Sequence, residues 1–291
     1  MNRNTEESDG YTPVIEEGAL LTTVKHDSLS TVHPNIILRT QVFTPIARNP
    51  KTKASLGRTA DVSDAMRELI FAKNEGYDRV VIYGAKLDIE TDFRVWGGIA
   101  LAFEKEGFKP DGITLSFKEF ASLCGFPSRH LNTALRERLD RSLTRIMSQV
   151  ISFGRDGGKA TCKTHLLQRA DYNQEGDWVR LVPDPSLWEL YQIDYNILLS
   201  IELQESLRRK EVAQCLYMFI AALPKSPAPI SFTRLRERVA LAASKPAEAN
   251  RSITNALAEL KKIGYLDYEI VTKNRERYVL IHERHKRLKN K

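Results

Sequence analysis

One pattern occurs twice in this chain and constrains it more than any other feature. Leu115-Ser116-Phe117-Lys118-Glu119-Phe120 and Ile230-Ser231-Phe232-Thr233-Arg234-Leu235 share the order apolar, Ser, Phe, polar, charged, apolar. Each reads as a short strand running into a short helix, and each precedes a long basic helix and β-rich runs. Repetition of a whole supersecondary unit predicts two like modules in tandem.

The second copy is the clearer. After a Ser244-Lys245-Pro246 break, Ala249, Ile253, Ala256, Leu257 and Leu260 recur every three or four residues and so share one helix face. Lys245, Glu248, Arg251, Ser252, Asn255 and Lys262 occupy the other face, and Gly264 stops the helix. Two β-rich runs follow, Tyr265–Val271 and Arg277–His282, joined through Lys273, Asn274 and Arg275. Helix, helix and basic hairpin in this order make a winged helix-turn-helix, whose second helix fits the major groove while its hairpin lies along the backbone. Arg251 and Asn255 are four apart and project from one stripe in the first half of that helix. Arg can bond guanine O6 and N7 together, and Asn can do the same at adenine N6 and N7. Ser252 and Lys262 flank them, and Lys273 and Arg275 at the hairpin tip are placed for phosphates.

The first copy opens with an amphipathic helix from about Asp92 to Glu106, then a strand at Ile113–Phe117, a short helix to Leu123 and a turn at Gly125-Phe126-Pro127. A long helix from about Ser128 to Gln149 packs through Leu131, Leu135, Leu139 and Ile146. Val150–Phe153 and Thr161–Leu167 are expected to form its wing, with Gly154–Lys159 as the tip and Trp178–Val182 as a closing strand. Arg129, Asn132, Thr133, Arg136 and Lys159 are the candidate contacts here, divided between DNA binding and dimer contact. Trp96, Ile99, Phe103, Val80 and Ile82 offer apolar surface for a dimer.

Five segments result: a flexible arm at 1–55, a first winged-helix domain at 56–190, a packed connector at 191–206, a second winged-helix domain at 207–283 and a basic tail at 284–291. Within the arm, Ile36-Ile37-Leu38 and Val42-Phe43 are apolar enough to dock on a neighbour; residues 61–75 predict a helix and Asp78–Gly84 a strand. The fold class is α+β, two tandem winged helix-turn-helix domains behind a flexible N-terminal arm.

Charge supports this division. The net charge is +7, and residues 244–291 hold 12 Lys/Arg against 6 Asp/Glu, while residues 128–163 hold 8 against 3. Positive charge gathered on two helix–hairpin segments points to a polyanionic partner. The three cysteines are far apart, no signal peptide opens the chain and no run of eighteen apolar residues spans a membrane, so a cytoplasmic protein is expected.

Enzyme signatures fail on inspection. Gly158-Lys159 lacks the phosphate loop's first Gly, because Phe153 stands there, and its Ser or Thr, because Ala160 follows. The strand Val80–Gly84 is followed by no Gly-x-Gly-x-x-Gly, and His282 and His285 are three apart where a zinc-protease helix needs four. No nucleophile–base pair is readable, so no enzyme, cofactor or metal is expected.

From Val80 to His282 the sequence resembles the TrfA-type, iteron-binding plasmid replication initiators. The resemblance is carried by Ile113–Gly125, Thr164-His165-Leu166-Leu167, Pro229–Phe232 and Leu260–Leu266. It implies tandem winged helices that bind direct repeats in a double-stranded plasmid origin as a monomer. It also implies opening of an AT-rich segment, contact with that single strand, recruitment of the host helicase and host initiator, and a homodimer in exchange with the monomer. The family's Gln-Leu-x-Leu-Phe clamp motif is absent from the arm. The alternatives are a winged-helix repressor binding an operator and, from another class, a strand-nicking or priming enzyme, which the missing catalytic residues disfavour.

Overall fold

The computed structural model describes residues 30–39, 42–45, 69–71, 79–84, 87–127, 129, 131–155, 160–173, 175–187, 196–239 and 245–285. The chain begins with β1 (Ser30–Pro34), α1 (Asn35–Arg39), β2 (Phe43–Thr44), β3 (Leu69–Phe71), β4 (Arg79–Tyr83) and β5 (Leu87–Asp88). The first half follows as α2 (Asp92–Glu106), β6 (Ile113–Ser116), α3 (Phe117–Leu123), α4 (Thr133–Met147), β7 (Val150–Arg155), β8 (Ala160–His165), β9 (Arg169–Asn173) and β10 (Trp178–Val182). After β11 (Asn196–Ser200) and α5 (Ile201–Ser206), the second half runs α6 (Glu211–Ala221), β12 (Ile230–Ser231), α7 (Phe232–Val239), α8 (Pro246–Lys262), β13 (Leu266–Lys273) and β14 (Glu276–Arg284).

The repeated Ser-Phe has one physical job in both halves. Ser116 Oγ accepts from the Glu119 amide at 3.2 Å, and Ser231 Oγ accepts from the Arg234 amide at 3.1 Å. Each serine thus caps the helix that begins one residue later and satisfies an amide that the first turn leaves unpaired. The phenylalanines behind them, Phe117 and Phe232, are fully buried. Gly264 takes φ 75° after α8, the left-handed conformation that ends a helix at low cost. Gly98 is required for another reason: a Cβ there would come within 2.9 Å of the Cys124 amide, so α2 and the end of α3 meet backbone to backbone.

Sheet pairing corrects the expected wing of the first half. In the second half the strand order is β12-β14-β13, with Ile230 opposite Val279 and Ser231 opposite Tyr278. The matching sheet in the first half is β6-β10-β9, with Leu115 opposite Val179 and Ser116 opposite Trp178. The counterpart of the β13–β14 hairpin is therefore β9–β10. The β7–β8 hairpin, expected to be the wing, instead joins the separate sheet β3-β4-β7-β8. The helix expected over 61–75 is corrected at residues 69–71; residues 61–68 and 72–75 lie outside the described residues. Leu69-Ile70-Phe71 is the strand β3, antiparallel to β4, as a run of three large apolar residues beside an open strand edge favours.

The arm is corrected in part. Residues 1–29, 40–41 and 46–55 lie outside the described residues, but residues 30–39 and 42–45 are built into the fold. β1 pairs antiparallel with β11, β2 lies parallel to β5, and α1 packs on α6. Ile37, Leu38, Val42 and Phe43 are buried, which removes enough apolar area from water to hold the segment in place. Part of the connector likewise forms β11 and α5. Trp96, Ile99 and Phe103 are fully buried within the chain, so they supply no apolar surface for a second copy, contrary to expectation. The buried apolar residues of both halves form one cluster. Glu90 crosses between the halves, accepting from the Arg209 amide at 2.9 Å and from Gln214 Nε2 at 2.6 Å.

Candidate nucleic-acid interface

Helix α8 buries Ala249, Ile253, Ala256, Leu257 and Leu260, the residues whose spacing predicted its inner face. Pro246 stands in its first turn, where a missing N–H costs nothing. Arg251, Asn255 and Lys262 are exposed on the outer side, Ser252 is half-buried between, and Lys261 is drawn aside by Asp267 at 2.9 Å. Among the described residues no side chain pairs with Arg251 or Asn255, so their donors face solvent.

The hairpin beside α8 turns in two residues. Lys273 and Glu276 close it, while Asn274 and Arg275 take φ 54° and 64°. Two left-handed residues match the right-handed twist of the flanking strands, but a glycine usually takes the second place. Arg275 holds it instead, exposed, beside exposed Lys273. Glu276 accepts from the amide and the hydroxyl of Thr233, both at 3.0 Å, which fixes the wing to the start of α7. The Thr233 amide, then its hydroxyl, holds the Glu276 carboxyl below its usual range.

Sequence reasoning missed the side chains between wing and helix. Arg277 stacks its guanidinium 4.2 Å over the Phe232 ring and reaches Thr254 Oγ1 at 3.4 Å. Arg236 donates to Asn250 Oδ1 and Thr233 Oγ1, each at 2.7 Å. The alternation of β14 was the signal available: Arg277 is two residues from buried Val279 and so faces the helices.

The first half places its candidates differently. Arg129 is exposed, and Lys159 lies outside the described residues. Asn132 is exposed, but its Oδ1 accepts from the Leu135 amide at 2.9 Å and caps α4; Thr133 is the exposed first residue of that helix. Arg136 stacks 4.0 Å over Phe117 and pairs with Asp177 from the β9–β10 turn. Arg145 is bound by buried Asp92, and Arg138 lies 4.8 Å over the Phe126 ring. Two of the basic residues counted along this segment, Arg136 and Arg145, are thus neutralised by carboxylates from elsewhere in the chain. No three His, Cys, Asp or Glu residues among those described converge as a metal site, and no described helix is long and apolar enough to cross a membrane.

Residues 99–221, from α2 to the end of α6, match the family described as Initiator Replication protein, WH1. Replication protein RepA of Escherichia coli is 42% identical over 90% of this chain and 91% of its own. The chain belongs to the RepA-type family of plasmid replication initiators. Within that family, RepFIB replication protein A of Salmonella typhi is 42% identical over 92% of this chain and 83% of its own. A RepA of Salmonella typhi is 38% identical over 99% and 82%. Among solved structures, domains 2 and 3 of RctB cover 74% of this chain at a TM-score of 0.48 and 15% identity. The resemblance to plasmid replication initiators is borne out, and with it a winged-helix domain, WH1, within a mixed α+β chain. A replication initiator has DNA as its partner, which agrees with the surface of α8 and its hairpin.

Proposed function

We propose that this RepA-type initiator binds direct repeats in its plasmid origin as a monomer, through two tandem winged helices of which the second reads sequence. The observation that carries this reading is the exposed stripe Arg251–Asn255–Lys262 on α8, its first two members without side-chain partners among the described residues, beside a hairpin tipped by Lys273 and Arg275. Arg251 lies in the first half of the helix, the end that helix-turn-helix modules insert into the major groove, and Asn255 follows one turn on, just past the midpoint. Opening of an AT-rich segment, contact with its single strand, recruitment of the host helicase and host initiator, and exchange with a dimer complete the proposal and rest on the family resemblance.

Duplexes carrying the direct repeats of the chain's own origin, compared with random DNA, test it. Arg251→Ala or Asn255→Ala should cost about 1–3 kcal/mol on a repeat and much less on random DNA. Lys273→Ala should weaken both alike and reduce the salt slope by about one. Binding confined to a single inverted repeat would make the protein a repressor. Equal loss on both duplexes from Arg251→Ala, with sequence preference erased by Lys273→Ala, would reverse the roles of helix and wing.

A further inference from the structure

The two halves can be matched residue by residue, and the match exposes a reversal of charge. Leu135, Leu139, Leu143 and Ile146 on α4 occupy the places of Ala249, Ile253, Leu257 and Leu260 on α8, with the same spacing and all buried. Arg136 therefore corresponds to Asn250, and Glu137 to Arg251. On the wings, Trp178 and Tyr278 lie opposite the two capping serines, so the residues before them, Asp177 and Arg277, correspond.

Each half sets an arginine on its equivalent phenylalanine, but from a different element. In the second half it is Arg277 from the wing, 4.2 Å from the Phe232 ring. In the first it is Arg136 from the helix, 4.0 Å from the Phe117 ring. The exchange has an electrostatic consequence. Arg277 has no carboxylate partner among the described residues; its bond to Thr254 at 3.4 Å is long, and a guanidinium has five N–H donors. It stands in the crevice between α8 and the wing, stiffened by the ring beneath it. Arg136 is paired with Asp177 and also reaches Tyr172 Oη at 3.4 Å. At the next helix position exposed Glu137 stands where the second half has exposed Arg251.

We propose that Arg277 is a further DNA-gripping residue, and that Asp177, at the same place in the first half, denies that half an equivalent grip by sequestering Arg136. The inference rests on the reading that the second half binds DNA through α8 and its hairpin. One frame is used with opposite polarity, so phosphate attraction is concentrated on one half of the molecule. Asp177 has φ 52°, a conformation that Asn also tolerates, so Asp177→Asn removes the charge and leaves the turn intact.

The test is a salt titration of the full chain on two duplexes about three helical turns long, one of random sequence and one carrying the origin repeat. On random DNA, Arg277→Gln should lower the slope of log affinity against log salt by about one, and Asp177→Asn should raise it by about one. Arg136→Gln combined with Asp177→Asn should restore the wild-type slope. Unchanged slopes in Arg277→Gln and Asp177→Asn overturn the proposal. A fall in the thermal midpoint of Arg277→Gln with its slope retained makes Arg277 a packing residue and also overturns it. An unchanged Asp177→Asn alone removes the role given to the first half. Arg251→Ala serves as the control: if it keeps full preference for the repeat, the functional reading itself fails, whereas loss of that preference with no slope change in Arg277→Gln defeats this inference alone.

Discussion

Arg145 donates to both carboxylate oxygens of Asp92, from Nε at 2.9 Å and from Nη2 at 2.6 Å, and so ties the last turn of α4 to the start of α2. Asp92 is fully buried and also accepts from Ser142 Oγ at 2.6 Å and from the Asp88 amide at 2.8 Å. A buried carboxylate with four donors is well satisfied; a partner left behind without it is not.

Asp92→Ala should therefore destabilise the fold by about 3 kcal/mol, because Arg145 and Ser142 lose their acceptor in a closed site. Urea unfolding reads this as a lower midpoint at unchanged slope. A loss below about 1 kcal/mol would mean that water replaces the carboxylate and that the brace is ornamental.

His33 sets a pH dependence. Its ring is fully buried, with Nε2 2.9 Å from Thr31 Oγ1 and Nδ1 without a partner among the described residues, and burial lowers its pKa from 6.5 to about 3. The unfolded chain takes up the proton near pH 6.5, and the folded one only near pH 3. The stabilisation is complete above pH 6.5 and is lost as pH falls toward 3, at up to about 1.4 kcal/mol per pH unit. The stability advantage of the wild type over His33→Gln should shrink by about 2 kcal/mol between pH 7 and pH 5. A difference that stays constant over that range would show that the imidazole is hydrated in the fold.

On the proposed reading, Arg275 gives up stability for phosphate contact. It occupies a left-handed turn position, φ 64°, that costs a side-chain-bearing residue roughly 1 kcal/mol relative to glycine. Arg275→Gly should raise the thermal midpoint while reducing the salt slope of DNA binding by about one. A less stable variant, or one with its slope intact, would contradict the assignment of this residue to phosphate contact.

How much of this was legible in the sequence depended on the range of the interaction. The face of α8 and the Gly264 stop are written in neighbours three to five positions apart, and they stand as read; the turn after them is tighter than the five-residue link the sequence suggested. The Ser-Phe echo was legible as a repeat because the cap it encodes is local. The first wing was misread because β7 and β8 directly follow the helix and carry Arg155 and Lys163, while β10, the true partner of β6, lies more than sixty residues beyond it. Arg136 and Arg145 counted as free charge for the same reason: their carboxylates are 41 and 53 residues distant. The docking of β1, α1 and β2 was visible only as an apolar patch, since nothing local to the patch identifies β11 or α6 as its partner.

The pairing of β1 with β11 also fixes an order of events during synthesis. Thr31 meets Leu199 across 168 residues of sequence, so β1, once it leaves the ribosome, waits for a partner made much later. At about 5–20 residues per second, that wait is on the order of ten to thirty seconds. Throughout it Ile37, Leu38 and Phe43 have no α6 to cover them, and the nascent chain must be kept from aggregating by something other than its own fold.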